Sequence, residues 1–166
     1  MQGSPPYWAY SWAGGNALAR HVLDHPQTVR GLRVVDLGSG SGLVGIAALT
    51  AGAASVIAID PEPHAAVAAR LNAEANGVII ETATADPMDG PIPEADLILA
   101  GDVFYDETLA TRSLAFLRRC QASGRAVLIG DPDRRPLPKA AVTLLARYPV
   151  TDFGGATVEA GVYTLA

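Results

Sequence analysis

Between Val34 and Leu43 the chain reads Val-Val-Asp-Leu-Gly-Ser-Gly-Ser-Gly-Leu, so three glycines at alternate positions follow an acid by two residues. Glycines at Gly38, Gly40 and Gly42 permit tight backbone turns and close approach of a ligand, and a helix beginning after them would offer free backbone N–H groups. Asp36, just ahead of them, sets a negative charge beside that loop. A pyrophosphate would be repelled there, whereas a cationic donor such as a sulfonium with an amino group would be attracted. Asp36 is also able to cap the next helix or bond loop amides. Two further acids follow at the ends of apolar runs. Asp60 lies about 20 residues beyond the loop, where an acid accepts from both hydroxyls of a ribose or caps a helix opened by Pro61. Asp86, in Ala85-Asp86-Pro87, either accepts from an adenine amino group or makes a turn before proline.

Other glycine loops fit less well. The dinucleotide fingerprint needs Gly or Ala where this chain has Leu43, and no Gly-Lys-Ser/Thr follows for a phosphate-binding loop. An NAD-dependent oxidoreductase is therefore disfavoured.

The elements that must hold these residues follow from the hydrophobic pattern. Ala17, Leu18, His21 and Val22 fall at helical spacing over Gly15 to Asp24, with Pro26 closing the run. Strands are expected at Leu32–Leu37, Ser55–Ile59, Val78–Thr84, Ala95–Ala100 and Arg125–Ile129. Helices are expected after the glycine loop, from Pro61 with Val67, Leu71 and Ala75 on one stripe, from near Asp106, and over Lys139–Arg147. Two last strands are expected near Val150–Phe153 and Val158–Leu165. Strands alternating with helices imply a Rossmann-like α/β three-layer sandwich, with a mostly parallel seven-stranded sheet and a C-terminal antiparallel hairpin.

The 166 residues, 49% hydrophobic and 17% charged, fit one globular domain over 1–166. The formal charge of -5 and the absence of Lys/Arg runs argue against nucleic acid and suit a basic protein partner. One cysteine, Cys120, excludes an internal disulfide; on the expected fourth helix it reads as a small core residue beside Leu109, Phe116 and Leu117. His21, His25 and His64 lack metal-like partners and read as structural or surface residues, so no metal is expected. No run approaches a membrane span, and Met1–Pro6 carries no signal-peptide features, so a cytoplasmic chain without membrane attachment is expected.

With the glycine loop, Asp60 and Asp86 in this order, the chain resembles the class I, or seven-strand, S-adenosylmethionine-dependent methyltransferases. Gly101-Asp102-Val103-Phe104-Tyr105 is similar to the Asp-x-x-Tyr motif of the protein-lysine methyltransferases of that class. Pro5-Pro6-Tyr7-Trp8-Ala9-Tyr10-Ser11-Trp12-Ala13-Gly14-Gly15 resembles the opening segment of the bacterial relatives of the electron-transfer flavoprotein β-subunit lysine methyltransferase. That group usually carries further residues ahead of this stretch, so residues 1–14 are expected to be a shortened opening segment, whether natural, wrongly assigned at its start or trimmed.

The resemblance implies S-adenosylmethionine as cofactor. Trp12 would pack on it, Gly38, Ser39, Gly40, Gly42 and Leu43 would hold its methionine part, Asp60 with Pro61 its ribose and Asp86 its adenine, with Gly101 beneath the sulfonium and Asp36 beside the loop. It implies that Asp102 and Tyr105 face the acceptor nitrogen, and that Asp131-Pro132-Asp133-Arg134 borders the substrate's way in. A lysine amine, with an ordinary pKa near 10.4, must lose a proton and be aligned with the methyl group, and an acid and a phenol suit that task. Plainer roles stay open: Asp102 as cap of the next helix, Tyr105 as an aromatic wall, Trp8 and Trp12 as cover for the sheet edge. The acceptor implied is a protein lysine, plausibly of the flavoprotein β subunit. A ribosomal protein, a small amine, or a non-catalytic cofactor-binding module are the alternatives.

Overall fold

The computed structural model describes residues 5–166; Met1–Ser4, the start of the opening segment and most of the stretch read for signal-peptide features, lie outside the described residues. The chain runs through α1 (Ala13–Asp24), β1 (Arg33–Leu37), α2 (Leu43–Thr50), β2 (Ser55–Asp60), α3 (Pro63–Ala75), β3 (Glu81–Thr84), β4 (Leu97–Gly101), α4 (Glu107–Ala122), β5 (Ala126–Asp131), β6 (Val142–Thr151) and β7 (Thr157–Leu165). The seven strands form one sheet in the order β3-β2-β1-β4-β5-β7-β6. The five strands β1 to β5 are parallel, and β7 inserts antiparallel between β5 and β6. The Rossmann-like sandwich and its terminal hairpin are thus as the sequence pattern implied.

Alternating side chains of the central strands feed two cores, because successive residues of a strand face opposite ways. Val34, Val56, Leu97 and Leu99 pack with α1, α2 and the alanine face of α3. Val35, Leu37, Ile98 and Ile129 pack on the other side with Phe116, Leu117 and Cys120 of α4. Cys120 is fully buried, as its place on that helix implied. The expected face of α1 also holds, since Ala17, Leu18, His21 and Val22 are all buried.

Four expectations need correction. Lys139–Arg147 is not a helix: one 3-10 turn at Lys139–Ala141 leads into β6, paired along its length with β7. Leu144, Leu145 and Ala146 favour a helix locally, yet Ala146, Tyr148 and Val150 alternate inward with a strand's period, and pairing with β7 decides the outcome. Helix α3 begins at Pro63, not Pro61, with the Glu62 side chain capping it at the His64 N–H. Its expected stripe is on the wrong side: Val67 and Leu71 are exposed, and Ala65, Ala66, Ala69 and Ala73 face the sheet. Small residues win that face because α3 lies close against the glycine loop, where a larger side chain has no room. The third strand is shorter than expected, starting at Glu81.

Candidate active site

Sheet order reverses between β1 and β4, which leaves a crevice at the carboxyl ends of those strands. A cavity of about 590 Å³ opens there. Trp12, Asp36, Gly38, Ser39, Gly40, Leu43, Asp60, Pro61, Asp86, Gly101, Asp102 and Tyr105 all line it, so residues scattered over some ninety positions converge on one space. Gly42 alone of the expected set stands behind the wall.

The glycine loop is braced from below. Gly38 and Ser39 donate their N–H groups to the Ile59 carbonyl at 2.9 and 3.2 Å. Gly42 adopts φ +85°, a left-handed conformation that favours glycine, and a Cβ there would stand 2.9 Å from the Ala69 Cβ. It therefore lets α2 start against α3.

Each acid near the loop has a definite partner. Asp36 is buried at the end of β1, and its Oδ2 accepts from the Gly45 N–H at 2.8 Å inside α2. Burial pushes its carboxyl up to about 7, against the pull of that hydrogen bond, with Asp60 adding a smaller upward push. Of the two roles open to Asp36, bonding a backbone amide is realised, and the residue also lines the crevice. Asp60 accepts from the Gly40 N–H and the Glu62 N–H, both at 2.9 Å, so it ties the glycine loop to the start of α3. Asp86 accepts from the Met88 N–H at 3.1 Å and from Arg112 at 2.9 Å, which fixes it as a turn acid that also edges the crevice.

Asp102 is held in an unusual way. It has φ +58°, a left-handed conformation uncommon for a residue with a Cβ. Its Oδ1 accepts from the Gly14 N–H at 3.0 Å and from Arg134 Nη1, and its Oδ2 accepts from the Gly15 N–H. Asp102 thus caps α1, and the cap of the following helix α4 is Asp106, accepting from the Leu109 N–H at 2.9 Å. Burial pushes the Asp102 carboxyl up, while the Arg134 charge and the two N–H groups pull the other way. Arg134 also donates its backbone N–H to Asp131 at 2.7 Å, and burial pushes Asp131 up to about 6. The segment Asp131–Arg134 so reaches the crevice through Arg134.

Tyr105 stands at the mouth, 65% exposed. Partial burial, then the charges of Asp106 and Asp60, raise its hydroxyl above the ordinary phenol value. Opposite it, Trp12 donates its indole N–H to the Tyr7 carbonyl at 2.9 Å and lies among Tyr7, Tyr10 and Phe153. Tyr7, Tyr10, Met88 and Leu109 also line the crevice, although no charge or glycine spacing marked them in the sequence. His21 is buried against Tyr148 and His64 pairs with Glu62 at the surface, the structural and surface roles expected of them.

The charge balance tests which small molecule suits this space. Among the described residues, five acids line this space, Asp36, Asp60, Glu62, Asp86 and Asp102, against one guanidinium, that of Arg134, which is paired with Asp102. Such a lining repels polyphosphate and favours a cation, so the residues present fit S-adenosylmethionine.

Fold and crevice together are of the kind found in the class I, S-adenosylmethionine-dependent methyltransferases. The family profile described as ribosomal protein L11 methyltransferase (PrmA) matches residues 17–103, more than half of the chain, and the chain belongs to that family. The electron transfer flavoprotein beta subunit lysine methyltransferase of Rattus norvegicus is 46% identical over 133 residues, covering 79% of this chain and 52% of that protein. The chain spans about half the length of the curated relatives it matches. Among solved structures, TrmN from Thermus thermophilus superposes with a TM-score of 0.65 at 28% identity, over 89% of this chain and 48% of its own. The ribosomal protein L11 methylase from Lactobacillus delbrueckii subsp. bulgaricus shares the fold, with a TM-score of 0.60 at 20% identity over 89% of this chain and 76% of its own.

Proposed function

We propose that this chain methylates a lysine amine on a protein, with the β subunit of electron-transfer flavoprotein as the first substrate to test, and that it works in the cytoplasm. The observation that supports the acceptor is the 46% identity to the rat flavoprotein methyltransferase, which runs over 79% of this chain. Asp102 and Val103 line the crevice wall and Tyr105 stands exposed at the mouth, where such an amine would arrive.

When bound, S-adenosylmethionine supplies a methyl group on a positively charged sulfur. The glycine loop from Gly38 to Leu43 and Asp60 would hold it, with Asp86 at one edge and Trp12 covering it. Asp36, with a carboxyl near 7, can carry a negative charge beside a cation at neutral pH. Tyr105 accepts an N–H of the incoming amine and turns its lone pair inward. The acidic lining draws a lysine ammonium toward the crevice by charge alone. The residues' main task is alignment, since an in-line displacement needs its two ends held close and collinear.

Labelled S-adenosylmethionine, the purified chain and lysate from a strain lacking it test the acceptor. Label found by mass spectrometry on a lysine of the flavoprotein β subunit is the expected result. A second reading, a ribosomal protein acceptor, is favoured by the family profile over residues 17–103, and label on that protein instead would establish it.

A further inference from the structure

We propose that Asp152 and Phe153, at the turn between β6 and β7, are positioning residues that clasp the opening segment and so set the roof of the donor crevice. Neither residue lines that crevice, but Tyr10 and Trp12 do.

Helix α1 begins with Trp12 as its N-cap and has no side-chain cap of its own. Its first free N–H groups are satisfied from far along the chain. The Ala13 N–H goes to Asp152 Oδ1 at 3.1 Å, and those of Gly14 and Gly15 go to Asp102. Asn16 adds a bond from its side-chain amide to the Thr151 carbonyl at 2.7 Å, and its own oxygen accepts from the Ser11 hydroxyl at 2.6 Å. Phe153 then closes the contact from above, with its ring 4.3 Å from that of Tyr10 and 5.4 Å from that of Trp12, centre to centre. Such aromatic pairs contribute beyond their buried area.

The turn is shaped to present these two side chains. The Asp152 N–H bonds the Ala156 carbonyl at 2.8 Å and the Gly155 N–H bonds the Asp152 carbonyl at 2.9 Å. Gly154 and Gly155 both take positive φ, +91° and +86°. Phe153 remains 54% exposed, so little of the fold's core depends on it. Its contacts with Tyr10 and Trp12 are therefore best explained by what they do to those two rings. Among the described residues none from β6 to β7 lines the crevice, and Phe153 reaches it only through Tyr10 and Trp12.

This inference rests on the crevice being the donor site, and two measurements on the full chain keep the two ideas apart. Amide hydrogen exchange at Ala13, whose N–H is the one Asp152 accepts from, should speed up without ligand in Asp152→Ala and in Phe153→Ala. Calorimetry with S-adenosylhomocysteine should show a Kd raised about tenfold in Phe153→Ala, with Phe153→Tyr near wild type and melting temperatures within about 3 °C, as suits loss of an exposed contact. Unchanged amide protection, or lost protection with unchanged Kd, would overturn the clasp. A wild-type chain that takes up no S-adenosylhomocysteine would instead remove the donor-site reading, and the positioning role with it, while its amide exchange still reports whether the turn holds α1.

Discussion

The guanidinium of Arg134 and the carboxylate of Asp102 form an ion pair at the crevice wall, with only 21% and 11% of their side chains exposed. The pair does two things at once: it neutralises a mostly buried acid, and it leaves that acid oriented toward the amino terminus of α1. Asp131, the last residue of β5, lies 3.5 Å from the same nitrogen, so the guanidinium meets two acids at the ends of neighbouring strands.

Removing one member of a buried pair leaves the other uncompensated, which costs about 3 kcal/mol or more. Arg134→Met should therefore lower unfolding free energy by about 3 kcal/mol in urea titration. Asp102→Asn keeps a side chain that tolerates a left-handed backbone, whereas Asp102→Ala adds strain of about 1 kcal/mol. Asp102→Ala should thus unfold at lower urea than Asp102→Asn. The double variant Arg134→Met/Asp102→Asn should lose less than the two single losses added together, because the residues act as one unit.

The contribution of Asp36 and Asp131 to stability should fall as pH rises from 5 to 8, while that of His21, lowered by burial, works the other way. The carboxyls of Asp36 and Asp131 sit at about 7 and about 6 in the folded chain, above the value of about 3.9 for a free aspartate. Between these limits the folded chain holds protons that the unfolded chain has released. The stabilisation is full below about pH 4 and is lost as pH climbs through the folded values. Near pH 5.5 the Asp36 proton alone contributes a slope of about 1 kcal/mol per pH unit. Asp36→Asn should flatten that slope in thermal or urea unfolding, and an unchanged slope would remove Asp36 as its source.

Gly42 and Gly77 make a matched comparison. Both have positive φ, but a Cβ at Gly77 meets nothing within 4 Å, whereas one at Gly42 meets Ala69. Gly77→Ala should cost about 1 kcal/mol from backbone strain alone. Gly42→Ala should cost about 2 kcal/mol or more and also weaken S-adenosylhomocysteine binding in calorimetry, since α2 must move away from α3.

Tyr105→Phe removes one exposed hydroxyl and leaves the ring. Its melting temperature should match wild type, and so should its affinity for S-adenosylhomocysteine. Turnover of a lysine substrate should drop about fivefold, the worth of a hydrogen bond of about 1 kcal/mol. Undiminished turnover would take the hydroxyl out of amine orientation.

The glycine loop and its acids were legible because their chemistry is local: Asp36, Gly38 and Gly40 stand within five positions. The order of strands and helices was legible from periodicity for the same reason. What escaped was set by distant partners. Lys139–Arg147 carries helix-forming alanine and leucine, and becomes a strand only because β7 lies beside it. The inner face of α3 is alanine because Gly42 lies against Ala69, a closeness that no hydrophobic pattern records. Asp102 was visible as an acid in a motif, but its bonds to Gly14 and Gly15 span 88 and 87 positions. Asp152 reaches Ala13 over 139 positions, with no signal in either stretch.

Backbone meets backbone where α1 crosses the strands. A Cβ on Gly14 would run into the Gly130 carbonyl, and one on Gly101 would stand 2.9 Å from the Gly15 Cα. With no side chain between them, the start of this helix can neither roll nor slide over β4 and β5. The aromatic stretch from Tyr7 to Trp12 is thus mounted on a post whose place is set by bare backbone on both sides.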